Sequence, residues 1–169
     1  MPTYPQILAG RSVTAALLDA MIPNVVTKAA TQTVNNSTTL VNDDSLFVPV
    51  EAGGVYEVTA WIVHSSQTAG DIAIGWSGPS GSTMTWGVQG PAASATAASD
   101  SAANFQQRSI SQTAGLGGGA GTAVCTDARG VLTVGSMSGL LRMRWAQNTA
   151  NASDTQVLGG SHLRVKRIA

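Results

Sequence analysis

The sequence predicts an all-β fold, a jelly-roll β-sandwich of about eight to ten strands behind a short N-terminal helix and arm. Three features point there. From residue 25 onward apolar residues recur with a period of two, the repeat of a strand with a buried face. Clusters of Gly, Asn, Asp and Ser interrupt that pattern at the regular spacing of a sandwich or barrel. At 169 residues the chain suits one undivided sandwich, and the strand count fits a jelly roll best.

Residues 1–24 read as an anchoring arm and short helix. Val13, Ala16, Leu17, Ala20 and Met21 fall at i, i+3, i+4, i+7 and i+8, one helical face within a span from Ser12 to Ile22. Ser12 is the expected cap, and Pro23 ends the helix. A helix this short is marginal alone, so it must pack on something. We take Ile7, Leu8, Val13, Leu17 and Met21 as its candidate docking residues.

Residues 25–169 carry the strands. Weak candidates at Val25 to Val34 and Thr38 to Val41 come first. Leu46, Val48 and Val50 then alternate with Phe47 and Pro49, and Glu51-Ala52-Gly53-Gly54 leads to Val55, which predicts a hairpin with a four-residue loop. Pro49 belongs at a sheet edge or bulge. The clearest strand runs from Val55 to His64, with Tyr56, Val58, Ala60 and Ile62 on one face and Val55, Glu57, Thr59, Trp61 and Val63 on the other. An outward face with Trp61 and Val63 is hard to leave in water, so these two are the candidate subunit contact.

A second hairpin is expected from Ile72, Ile74 and Trp76 to Met84 and Trp86 across Ser77-Gly78-Pro79-Ser80-Gly81. The low-complexity stretch from Pro91 to Ser99 reads as a long surface loop, and the glycine run from Gly115 to Gly121 as a flexible loop tip. Weak strands at Gln106 to Ser111 and Thr122 to Cys125 precede three late ones. These run from Val131 to Met137, from Leu140 to Ala146, and from His162 to Ile168. In the middle one, Leu141, Met143 and Trp145 oppose Leu140, Arg142 and Arg144.

Charged residues form only 11% of the chain, and the formal net charge is zero. Ordinary globular proteins carry roughly a quarter. So weakly charged a surface resists self-association poorly, which favours burial in an oligomer or on a particle. Nine basic residues balance nine acidic ones, so neither nucleic acid nor an anionic membrane is an expected partner. The N-terminus shows no signal-peptide pattern, and no apolar run is long enough to span a bilayer. Cys125 stands alone, which excludes an internal disulfide and suggests a small buried residue.

Chemical motifs are scarce. The glycine run lacks the Lys-Ser/Thr that completes a phosphate cradle. His64 and His162 have no metal-ligand spacing and are expected half-exposed with local hydrogen bonds. Gly135-Ser136-Met137-Ser138-Gly139 has Met where a nucleophile elbow needs Ser. Asp43-Asp44 reads as turn-capping, and with Glu51 and Glu57 it forms no evident acid–base pair. Arg142, Arg144, Arg164, Lys166 and Arg167 concentrate late in the chain and read as a solvated sheet face in preference to a partner contact. No enzyme activity, metal or cofactor is expected.

The order Ile7-Leu8-Ala9-Gly10-Arg11-Ser12-Val13-Thr14-Ala15-Ala16-Leu17-Leu18, then Leu40-Val41-Asn42-Asp43-Asp44, then Val50-Glu51-Ala52-Gly53-Gly54-Val55-Tyr56-Glu57-Val58, resembles small virion proteins of bacteriophages infecting actinobacteria. The stretch from Gly70 to Pro79 is similar in style, and the likeness covers roughly the first half. Such proteins are minor tail proteins or head decoration proteins, and the resemblance implies a homotrimeric jelly roll of the tumour-necrosis-factor-like type. The expected function is therefore structural: a capsid decoration protein that trimerises and docks on the phage major capsid protein to reinforce it, located on the virion. The alternative is a minor tail protein or tail-fibre tip in which the Gly and Ala/Ser loops recognise a host cell-surface glycan.

Overall fold

The computed structural model describes residues 9–10, 12–19, 21–93, 95–97, 103–104 and 106–169. One helix, α1 (Ala15–Asp19), is followed by β1 (Asn24–Thr27), β2 (Gln32–Val34), β3 (Val41–Val50), β4 (Val55–Ser65), β5 (Ile72–Ser77) and β6 (Thr83–Pro91). Short strands β7 (Ala103–Asn104), β8 (Arg108–Ser109) and β9 (Ala114–Leu116) and a 3-10 turn (Gly119–Gly121) come next. β10 (Val124–Thr133), β11 (Gly139–Ala146), β12 (Thr155–Val157) and β13 (His162–Arg167) complete the chain.

The strands form two antiparallel sheets, one ordered β1-β13-β4-β10-β6-β7 with β2, β8 and β12 at its margins, the other β3-β11-β5-β9. Numbered in sequence, β1, β3, β4, β5, β9, β10, β11 and β13 are eight strands that nest as 1-8-3-6 and 2-7-4-5. That interleaving is the wrap of a jelly roll, with β6, β7 and β8 inserted between the fourth and fifth strands.

The core lies between the sheets. Tyr56, Val58, Ala60 and Ile62 of β4 face Leu46, Val48 and Val50 of β3 and Leu141, Met143 and Trp145 of β11. Trp76 and Trp86 meet edge to face at 6.2 Å and join the layers, since β5 and β6 belong to opposite sheets. Burying each such side chain contributes roughly 1.5–3 kcal/mol.

Both expected hairpins are corrected. β3 pairs with β11 and β4 with β10, β13 and β12, so residues 51–54 turn a corner between sheets. The same holds for β5, paired with β11 and β9, and β6, paired with β10. Alternation identifies a strand but not its partner, and a Gly-rich turn serves a corner as well as a hairpin. Pro49 does sit on an edge strand, because among the described residues β3 has β11 as its only sheet neighbour.

Three other expectations change. α1 is shorter than Ser12 to Ile22 and is capped by Thr14, whose Oγ1 accepts the Leu17 N–H at 3.2 Å. The separate strands expected at Thr122 to Cys125 and Val131 to Met137 are one continuous β10, which stops at Thr133. Gly130 lies mid-strand in β10, where a Cβ would approach Trp86 Cβ to 2.7 Å. The glycine run is no loose tip: Leu116, Gly117, Gly118 and Gly119 are buried. A Cβ on Gly118 would fall 1.6 Å from Ser66 Oγ and 2.6 Å from the Ser66 carbonyl. Glycine is used there for close approach of two backbones.

Candidate interaction surfaces

The outer face of the larger sheet carries the expected contact residues. On β4 the buried and outward positions alternate without a break, so Glu57, Thr59, Trp61 and Val63 project together away from the core. Register then sets their neighbours. Trp61 lies between His162 of β13 and Asp127 of β10, Thr59 between Arg164 and Arg129, and Glu57 between Lys166 and Val131. Val63 is opposite Cys125. Trp61 is 42% exposed and Val131 45%.

The face is thus mixed. Trp61, Val63 and Cys125 make an apolar strip at one end, while the charged row of Arg164, Thr59 and Arg129 separates it from Val131. A depression of about 510 Å³ lies along that row, lined by Glu57, Thr59, Thr85, Arg129, Val131 and Arg164. Asp127 accepts a hydrogen bond from Arg129 Nε at 2.8 Å, which raises the arginine pKa and leaves it cationic. Cys125 is exposed, contrary to its expected burial, because its place in β10 is outward.

A second surface lies at the edge where β1 and β3 meet. Ile22, Pro49, Tyr56, Leu140, Val165 and Arg167 line a groove of about 560 Å³. The N-terminal segment adds exposed apolar side chains beside it in sequence: Val13, Leu18 and Ile22 are exposed, while Leu17 and Met21 are half-buried. Ile7 and Leu8 lie outside the described residues. Arg142 is not simply solvated but stacks over Phe47 at 4.5 Å, and an Arg144 Nη donates to the Leu40 carbonyl at 3.1 Å.

The polar groups with perturbed protonation are interior. His64 is fully buried, not half-exposed, because it faces inward on β4; its Nε2 meets Thr126 Oγ1 at 2.9 Å and its Nδ1 has no partner. Burial pulls its pKa down to about 4. Asp71 is buried beside the glycine run, and desolvation pushes its pKa up to about 6 against the opposing hydrogen bond from the Gly118 N–H at 3.3 Å. With so little surface, neither meets a solute. Among the described residues no group of three or more His, Cys, Asp or Glu can hold a metal ion, and no helix is long and apolar enough to cross a membrane.

Sequence reading missed a buried ion pair. Lys28, with Val26 on the inner face of its segment, reaches Asp43 Oδ1 at 3.2 Å, and both side chains are fully buried. The apolar parity of β3 shifts between Asp43 and Leu46, where its register with β11 slips. That slip was the available signal for a bulge that turns Asp43 inward.

No protein-family model matches the chain, and no curated protein matches it in sequence. Among solved structures, it is similar to the tripod (BppUct-A-L) from the baseplate of bacteriophage Tuc2009, at 11% identity and a TM-score of 0.39, covering 96% of this chain and 73% of that one. It is also similar to Eiger TNF from S. frugiperda at 14% identity and a TM-score of 0.35, covering 88% and 94%. The VP2 subviral particle of infectious bursal disease virus gives 12% identity and a TM-score of 0.23, covering 87% and 42%. Likeness at this level carries no argument about what the chain binds or assembles with.

Proposed function

We propose that the chain is a structural virion protein, most concretely a phage head decoration protein that acts as a homotrimer. The observation that carries this reading is the outward strip of exposed Trp61 and Cys125 with half-buried Val63 between them on the larger sheet. An exposed tryptophan beside further apolar surface marks a protein contact more often than an idle patch. The chain's low charge and zero net charge fit a molecule that spends its life assembled. The polar remainder of that face, with Arg129, Arg164, Glu57 and Asp127, suits a contact that orients subunits by complementary charge.

In this reading the arm segment around Ile7, Leu8, Val13, Leu17 and Met21 docks on the major capsid protein, and its action is mechanical. Three weak arms on one rigid trimer bind a symmetric lattice far more tightly than one arm does. The burial of Gly117, Gly118 and Gly119 leaves less free glycine loop for a glycan-reading tip and so supports the decoration reading over that alternative. The test is cosedimentation with undecorated phage heads. The full chain should pellet with heads, and the chain lacking residues 1–22 should stay in the supernatant while keeping its oligomeric mass. Binding to purified tails or host cells, with none to heads, would overturn the decoration reading in favour of the tail alternative.

A further inference from the structure

We propose that Lys28 and Asp43 condense into an intramolecular isopeptide bond that ties the segment after β1 to the edge strand β3. The bulge in β3 removes residues 43–46 from the ladder with β11 and lets two adjacent carboxylates reach one amine. Lys28 Nζ is within 3.2 Å of Asp43 Oδ1, is hydrogen-bonded to Asp44 Oδ1, and meets Gln32 Oε1 at 3.2 Å.

The two oxygens of Asp43 are held differently. Oδ1 accepts the backbone N–H groups of Ser45 and Leu46, each at 2.9 Å, while the buried Oδ2 has no partner. Two backbone donors on one oxygen are the arrangement that stabilises a tetrahedral oxyanion. An orphaned second oxygen is the one free to leave. Unpaired buried polar atoms are rare, and a carboxylate that surrenders this oxygen removes the cost of keeping it.

The step balances without a redox partner. One proton passes from the Lys28 ammonium to the Asp43 carboxylate it touches, leaving an amine and a carboxylic acid whose hydroxyl is Oδ2. The nitrogen lone pair attacks Asp43 Cγ, and the developing charge on Oδ1 rests on the Ser45 and Leu46 N–H groups. Asp44 takes the second nitrogen proton and delivers it to Oδ2, which departs as water, leaving an amide with Oδ1 as its carbonyl. Asp44 is ionised, its pKa held below the usual carboxylate range by the Lys28 hydrogen bond, and it is that contact with the amine that places it to take the proton. Fixed contact between reactants replaces the cofactor or activated ester that amide formation in solution requires.

The bond would fasten the edge of the sandwich by joining residues 15 positions apart in the chain. It stands apart from the virion assignment, and either can fail without the other. The experiment is the intact mass of the denatured, purified full chain, with fragmentation of the peptide joining residues 28 and 43. The expected mass is lower than the sequence mass by one water, restored to full in Lys28→Arg and in Asp44→Asn, and lower by one ammonia in Asp43→Asn. The full sequence mass in the folded wild-type chain would overturn the proposal, and so would a water loss mapped to other residues.

Discussion

Two buried groups with opposite perturbations set a pH response that only variants reveal. His64 has a folded pKa of about 4, below its ordinary 6.5, because burial disfavours the imidazolium. As pH falls from 6.5 the unfolded chain binds this proton first, so stability is lost down to about pH 4; about 2.5 units at 1.36 kcal/mol each is about 3 kcal/mol. Asp71 runs the other way, with a folded pKa of about 6 against an ordinary 3.8. Above pH 6 its charge opposes folding, and acidification through 6 towards 3.8 relieves at most about 3 kcal/mol, less where solvent screens the carboxylate. The two oppose each other between pH 6.5 and 4. Urea denaturation at fixed protein concentration across that window should show a smaller change in the wild type than in a variant that lacks Asp71. Asp71→Asn should lose about 3 kcal/mol on acidification, and His64→Gln should gain up to about 3 kcal/mol. A flat profile for Asp71→Asn, or a falling one for His64→Gln, would refute the reasoning.

Further outcomes follow from packing and exposure. Gly118→Ala drives a methyl into the Ser66 backbone and should lower stability by about 2 kcal/mol or more, whereas Gly87→Ala, whose added carbon comes no closer than 3.6 Å to the Gln106 carbonyl, should change it by less than about 0.5 kcal/mol in the same denaturation assay. Leu141→Ala empties a fully buried site between the sheets and should cost roughly 2–5 kcal/mol by thermal or urea unfolding. Cys125 shares the Trp61 face, so its reaction with a thiol reagent should be fast in dilute solution and slow at concentrations where copies associate; a rate independent of concentration would place the contact elsewhere. Removal of residues 1–22 should leave a chain that still unfolds in one cooperative transition, because the core cluster draws on no described residue before Val26.

Period-two alternation located β4, β11 and β13 and put Tyr56, Val58, Ala60 and Ile62 on the core side, because a sandwich buries one face of each strand. Alternation is blind to partners, so the two corner turns read as hairpins. It is equally blind to depth. Nothing local distinguishes Gly118, pressed on Ser66, from a glycine in a free loop, or His64 at zero exposure from one at a strand end. The outward position of Trp61 and Val63 was legible from spacing alone. The charged row beside them was not, because Arg129, Arg164 and Thr59 come from three strands that meet only in the sheet.

The central claim is that the Trp61 face holds copies of the chain together. Sedimentation velocity of the wild type beside Trp61→Lys and Val63→Asp tests it most directly, since both positions point out of the core and the variants should fold. The account predicts three chains per particle for the wild type and a single chain for each variant at the same concentration, with unchanged circular dichroism. A wild type that sediments as one chain at every concentration, or folded variants that keep the oligomeric mass, would contradict it.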